Sequence, residues 1–184
     1  AFLSVQVTYY ILIAFMLTYG VTSANMSRDD MLLAVLIASA LQVPTQFIFA
    51  SYSDRHGRRG IFMLGAVLTG LWAFALFPLV DTGNFWLILM AMTIGFVFLG
   101  MMYGPQAAFF TELFSTEVRY SGASLGYQLG AIIGGAFAPV IAVTLWTEYS
   151  IFWVSVYIAF ASLLALLSVL MLTETYKSDL SDTK

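Results

Sequence analysis

Polar side chains are scarce within the apolar runs of this chain, and those present recur at helical spacing. Gln6, Tyr9 and Tyr10 fall at i, i+3 and i+4 and share one helix face. The same holds for Ser39, Gln42 and Gln46, for Tyr103 and Gln106, and for Ser124, Tyr127 and Gln128. Gln and Tyr are neutral groups that hydrogen-bond carboxylates and hydroxyls, and a Tyr ring receives a quaternary ammonium on its face. That chemistry is recognition rather than bond breaking. Cys is absent, which removes disulfides, thiol catalysis and most zinc or iron–sulfur sites. No apolar run carries an Asp, Glu, Lys, Arg or His at its middle, so an embedded base, a metal cluster and a carboxylate pair are all missing. An enzyme, a bound metal or a cofactor is therefore not expected. A proton relay within these residues also lacks its usual carrier.

The ionisable residues lie elsewhere. "SYSDRHGRRG", residues 51–60, holds three of the seven Lys/Arg residues and the single His, between long oily runs. Three readings compete: a grip on nucleic acid, a marker of membrane orientation, or a moving part. The net charge of −3 argues against the first, because nucleic-acid binders are normally basic. His56 reads as a solvated loop residue rather than a pH sensor.

The elements that must position these groups are membrane helices. The chain is 61% hydrophobic and 9% charged with a mean hydropathy of +0.91, whereas soluble domains carry about 25% charged residues. A membrane helix needs roughly 20 mostly apolar residues. Six such runs are expected, at about 1–22, 30–50, 60–80, 85–110, 121–146 and 151–172, with a polar tail over 173–184. The first run lacks the basic start of a cleavable signal peptide. One side of this layout holds Arg55, Arg58, Arg59, Arg119, Lys177 and Lys184, and the other holds Arg28. The positive-inside rule makes the first side cytoplasmic and puts both termini there, in a cell membrane.

Glutamine sorts the helices. Gln6, Gln42, Gln46, Gln106 and Gln128 fall on the first, second, fourth and fifth spans, and the third and sixth have none. An amide facing lipid is costly, so the Gln-bearing spans should face one another, a partner or water, while the third and sixth can face lipid. The order polar, polar, oily then occurs twice. Two successive three-helix units must run in opposite senses, which predicts an all-α membrane protein of two inverted three-helix repeats. Static inter-helix hydrogen bonding is the alternative for any single polar residue, at roughly 0.6–2 kcal/mol per contact. For the set, a solute pathway is the better account. In the fifth span Gly122, Gly126, Gly130 and Gly134 recur every four residues, a packing face that lets a neighbouring backbone approach and slide. Pro44, Pro105 and Pro139 are expected to bend their helices.

"SDRHGRR", Ser53 to Arg59, resembles the D-R-x-G-R-R loop of the major facilitator superfamily, which joins the second and third helices of each six-helix half. "TELFSTEVRYSGASLGYQLGAIIGG", residues 111–135, is similar to the segment after the tenth helix in that family's metabolite:proton symporter subgroup, and "TET" at 173–175 to the P-E-T that ends the last helix of many members. Ala50, Ser115 and Glu117 depart from the usual Gly, Pro and basic residue. The resemblance implies the C-terminal half of a twelve-helix transporter. It also implies that the chain, which begins at Ala1, is a fragment rather than a natural half-transporter. Such a protein carries a small organic solute, an organic acid or a betaine-like osmolyte, through a cavity between two halves that opens alternately to each side. The cavity set expected here is Gln6, Tyr9, Tyr10, Gln42, Tyr103, Gln106, Tyr127 and Gln128. Proton coupling would reside mainly in the absent half, and the partners implied are the bilayer, that half or a second copy, the solute and protons. The cytoplasmic gate motif would comprise Asp54, Arg55, Gly57, Arg58, Arg59, Glu112 and Arg119. Asp54 would lie near the start of the fifth span, Tyr120 to Ala123, and the arginines would pair with Glu112, Glu117 or Glu174. A non-transporting six-helix scaffold or assembly subunit is the competing reading.

Overall fold

The computed structural model describes residues 2–112 and 119–172, and among them every regular element is helical. We number six helices. α1 combines Phe2–Tyr10, a π-helical turn at Ile11–Phe15 and Met16–Thr22; α2 is Arg28–His56; α3 is Arg58–Val80; α4 is Phe85–Glu112. α5 combines Arg119–Gly130, a π-helical turn at Ala131–Ala136 and Ala138–Glu148, and α6 is Ile151–Leu170. All six are long and apolar enough to cross a membrane.

Local chemistry explains the ends. Ser27 caps α2 by accepting from the Asp30 amide at 3.0 Å, and Asp29 and Asp30 place negative charge on its first turn. Asn84 caps α4, its Oδ1 accepting from the Trp86 amide at 2.9 Å. The sequence predicts a loop over residues 51–60, but α2 continues to His56 and α3 starts at Arg58. Gly57 alone separates them, at φ 103° and ψ 142°. That region is disfavoured for any residue with a Cβ, so one glycine turns the chain where a loop was expected. Pro44 and Pro105 lie inside continuous helices, while Pro139 is the second residue of the segment Ala138–Glu148 that resumes α5 after its π-helical turn.

The packing pattern has an internal symmetry. α2 packs on α4 as α5 packs on α1, and α3 packs on α4 as α6 packs on α1. Exchanging the first three helices for the last three maps each of these pairs onto the other, and maps the α3–α6 contact onto itself. The two triplets seen in the polar pattern are thus also two equivalent packing units. Polar contacts tie the central helices: Ser155 Oγ donates to the Ala73 carbonyl at 2.9 Å, Trp72 Nε1 to the Ala91 carbonyl at 3.0 Å, and Ser4 and Ser162 hydroxyls lie 3.4 Å apart. At the end of the bundle away from Gly57, Tyr19 donates to Asp81 Oδ1 at 2.5 Å, its ring packed among Phe15, Phe77 and Trp146.

Burial refines the expectation for the third and sixth spans. α3 and α6 do present outer apolar faces, with Leu71, Phe74, Phe160 and Leu163 exposed, but their other faces form the centre of the bundle. The least buried helices are α2 and α5. Leu36, Phe47 and Ile48 on α2, and Leu125, Leu129 and Val140 on α5, stand exposed on this chain.

Candidate substrate site

α4 carries the core of the site. Helical spacing puts Tyr103, Gln106, Ala107, Phe110 and Thr111 along one side of it, with Pro105 inside the turn. At Gly104 the α2 backbone comes close. A Cβ there would lie 2.7 Å from the Gln46 carbonyl oxygen and 3.0 Å from the Ala50 amide, which is why "YGPQ" has glycine between its polar residues. α5 contributes Ala123 and Tyr127, and α1 contributes Phe2. Together these side chains enclose a cavity of about 280 Å³. The volume suits a small solute, since ligand pockets start near 300 Å³.

Aromatic contacts set the walls. Phe2 lies 4.3 Å from Phe110 between ring centroids, and meets Tyr127 edge-on at 5.7 Å. The Tyr103 and Tyr127 side chains both line the cavity, and Tyr9 and Tyr10 lie near Tyr103. Tyr9 and Tyr10 meet edge-to-face at 5.6 Å. Thr111 Oγ donates to the Ala107 and Ala108 carbonyls at 2.9 and 3.0 Å. Gln106 is only 4% exposed, and its Oε1 is buried without a hydrogen-bond partner. Among the described residues, the wall holds no carboxylate, ammonium, guanidinium or imidazole.

The predicted cavity set divides. Tyr103, Gln106 and Tyr127 line this one cavity. Tyr9 and Tyr10 stand beside Tyr103, with Tyr10 also packed against Gly135. Gln6 and Gln42 are buried between helices and do not line it, and Gln128 is exposed on the next helix position after Tyr127. Phe2 and Phe110 escaped the sequence reading because a search for polar groups passes over phenylalanines in an apolar run.

The glycine stripe faces α1. A Cβ at Gly126 would meet Phe2 Cε2 at 3.5 Å, one at Gly130 would meet Phe2 Cβ at 2.6 Å, and one at Gly134 would meet the Leu3 carbonyl oxygen at 2.8 Å. Gly122 sits in the same helix one turn earlier. In the gate motif, Arg58 pairs with Asp54 at 3.2 Å, and Arg59 Nη2 donates to the Leu170 carbonyl at the end of α6 at 2.8 Å. His56 stacks on Tyr52 with centroids 4.3 Å apart, leaving Arg55 exposed beside it. Residues 113–118 and 173–184, and with them Glu117 and Glu174, lie outside the described residues, as do the side chains of Glu112 and Arg119. The pairs expected with those acids lie there too.

Comparison with known proteins adds a family. The sequence profile of the Major Facilitator Superfamily matches residues 1–184. The chain is 30% identical over 174 residues to the shikimate transporter of Escherichia coli (strain K12), covering 93% of this chain and 40% of that protein. It is 33% identical over 181 residues to the inner membrane metabolite transport protein YhjE of the same organism, covering 94% and 40%. It is 25% identical over 192 residues to the glycine betaine/proline/ectoine/pipecolic acid transporter OusA of Dickeya dadantii (strain 3937), covering 99% and 38%. The chain therefore spans about two fifths of the length of these relatives.

Proposed function

Because the chain belongs to the Major Facilitator Superfamily and is an integral membrane protein of a transporter family, not an enzyme, we propose that it is the C-terminal six-helix half of a secondary transporter. The whole protein moves a small organic solute, an organic acid or a betaine-like osmolyte, together with protons. The observation that carries this reading is the cavity between α1, α4 and α5, where neutral hydrogen-bonding groups from two helices meet on an aromatic floor. The chain's share of the mechanism follows from its surfaces. Tyr103, Gln106 and Tyr127 hold part of the solute. The thinly buried α2 and α5 meet the other half or a second copy, and α3 and α6 keep their outer faces in lipid. Both termini and residues 51–60 are cytoplasmic, in the bacterial inner membrane.

In this mechanism the arginine-rich turn is an inner-side latch. Asp54 and Arg58 hold the α2–α3 turn in shape, and Arg59 ties that turn to the end of α6, so the three helix ends move as one body. Exposed ion pairs contribute about 0–1 kcal/mol each, enough to bias a two-state equilibrium without locking it. Proton-driven uptake of radiolabelled organic acids and betaines into vesicles holding the purified full-length protein tests the function. Saturable uptake that falls on substitution of Tyr103 or Gln106 is expected. Absence of uptake, with Cys probes at the cavity-lining positions 107 and 123 sealed from water in every state, would instead make the protein a scaffold.

A further inference from the structure

Resting on the reading that α3 and α6 turn their outer faces to lipid, we propose that the seam between them binds one anionic phospholipid of the inner leaflet, with an acyl chain in a groove and the headgroup at the arginine-rich turn. The groove comes from side-chain size. Ala66 and Gly70 of α3 and Ala159 and Ser162 of α6 form the small-residue floor of a groove of about 200 Å³. A Cβ at Gly70 would lie 3.3 Å from Ser162 Cβ and 3.6 Å from Ala159 Cα, so the two helices meet there. Leu71, Phe74 and Leu163 stand exposed as its rims. Ser162 is 3% exposed, and its hydroxyl lies 3.4 Å from that of Ser4 on α1, inside the bundle. The floor therefore offers hydrocarbon rather than a hydrogen-bonding group. A helix is about 10–12 Å across with its side chains and cannot reach a floor between these rims, whereas a single hydrocarbon chain can.

Depth and charge identify the occupant. Arg59 Nη2 donates to the Leu170 carbonyl at 2.8 Å, which holds the α2–α3 turn at the end of this seam. At about 1.5 Å per residue, the groove begins about 10 Å from Arg59, at Ala66, and ends about 22 Å from it, at Phe74. Counted along α6, Ala159 lies about 16 Å from Leu170. The hydrocarbon core of a bilayer is about 30 Å thick, so the groove lies at acyl-chain depth when the turn lies among headgroups. Every lipid brings the same hydrocarbon to such a groove, so tail burial does not select one lipid from another. Selection falls to the turn. Residues 51–60 carry Arg55, Arg58 and Arg59 against the single carboxylate of Asp54, a formal surplus of positive charge, and Arg55 is exposed. One Lys or Arg near the membrane surface favours an anionic lipid by about fivefold. A lipid held this way spans the ends of α3 and α6 that Arg59 already ties, and it reinforces the latch.

The test uses the full-length protein with Phe74→Trp, a fluorescent reporter on the groove rim. It is reconstituted in phosphatidylcholine vesicles containing either phosphatidylglycerol or phosphatidylcholine with brominated acyl chains, which quench a nearby indole. Fluorescence is read as the difference from protein lacking the substitution. Quenching should report an affinity for phosphatidylglycerol at least about fivefold above that for phosphatidylcholine. Arg55→Gln combined with Arg59→Gln should bring that ratio to within about twofold. Ala159→Leu fills the floor, leaves every charge in place and should also abolish the preference, which keeps the test decisive should the arginine variant fail to assemble. Glycerol 3-phosphate, a headgroup without a tail, should leave the ratio unchanged. Equal quenching by both lipids, a ratio that survives Ala159→Leu or the arginine variant, or a ratio lost to glycerol 3-phosphate overturns the proposal. In each of those cases the reporter is still quenched, so the outer faces of α3 and α6 still lie in lipid. Absence of quenching by either lipid refutes that reading instead, and the proposal with it.

Discussion

The α1–α5 contact gives a graded prediction, because three glycines on one face meet α1 at three different distances. In Gly126→Ala the new methyl would sit 3.5 Å from Phe2 Cε2, an ordinary contact with the end of a side chain. In Gly130→Ala it would sit 2.6 Å from Phe2 Cβ, and in Gly134→Ala 2.8 Å from the Leu3 carbonyl oxygen, 3.2 Å from Gln6 Cβ and 3.3 Å from Leu3 Cα. Carbon contacts relax at about 3.5–4.0 Å, so at the last two sites the helices must part by roughly 0.7–1 Å. Neither obstacle can swing away, since one is a Cβ and the other is backbone. Such overpacking costs about 1–3 kcal/mol, against a helix-propensity gain of about 1 kcal/mol for Gly→Ala. Gly126→Ala keeps the gain and should match or exceed the wild-type Tm. Gly134→Ala should lose up to about 2 kcal/mol, roughly a 4–8 °C fall for a bundle of this size, and Gly130→Ala should rank with it. Thermal unfolding of the purified full-length protein in one detergent supplies the ranking. If Gly134→Ala proves as stable as Gly126→Ala, the close α1–α5 approach is wrong, and so is the view that the stripe exists to permit it.

Four further outcomes are expected. Tyr19→Phe keeps its ring among Phe15, Phe77 and Trp146 and loses only the bond to Asp81, so it should cost about 1 kcal/mol and add nothing to Asp81→Ala in a double-mutant cycle. Gly57→Ala forces a Cβ into a positive-φ conformation and should cost about 1–3 kcal/mol, whereas Gly60→Ala, three positions later in open space within α3, should be neutral or stabilising by thermal unfolding. The Thr8 and Thr69 hydroxyls are both buried without partners on one small cavity between α1 and α3, so Thr8→Val combined with Thr69→Val should raise stability by about 1 kcal/mol; a clear loss would show that a bound water satisfies them. Asp54→Lys removes a pair whose acid is 60% exposed and should change stability by under about 1 kcal/mol while altering uptake rate in the full-length protein; an unchanged rate would reduce the turn to a topology marker.

Much of this architecture was legible because the bilayer imposes it. A run of apolar residues long enough to span reads directly as a helix, and polar breaks at 23–29, 81–84 and 147–150 had nowhere to go but the ends. The charged stretch at 51–60 is the exception, because clustered charge predicts a loop while helix ends at a membrane surface carry charge equally well. Arg55 and His56 extend α2, Arg58 and Arg59 open α3, and the turn depends on Gly57 alone. The π-helical turns at Ile11–Phe15 and Ala131–Ala136 left no trace in composition, since a π turn shifts the register of hydrogen bonds without demanding a particular residue.

The site was half legible for a related reason. Spacing predicts which residues share a face, but a helix apolar on every side gives no stripe to say where that face points. Tyr127 and Gln128 are about 100° apart on α5, so they cannot both serve one narrow cavity; tertiary packing assigned Tyr127 to it and turned Gln128 outward. Gln6 and Gln42 obeyed the rule that amides avoid lipid, but by burial between helices rather than by lining water. The polar triplet pattern is matched by the symmetry of the packing, yet the cavity breaks that symmetry, drawing on α1, α4 and α5 and not on α2. The close α2–α4 approach at Gly104 is matched by the α1–α5 approach at Gly130 and Gly134, so the break lies in the side chains: Phe2 of α1 packs on Phe110 and meets Tyr127 at the cavity wall. A repeat built for stability can be symmetric, but a cavity needs a local exception, and here Phe2 supplies it.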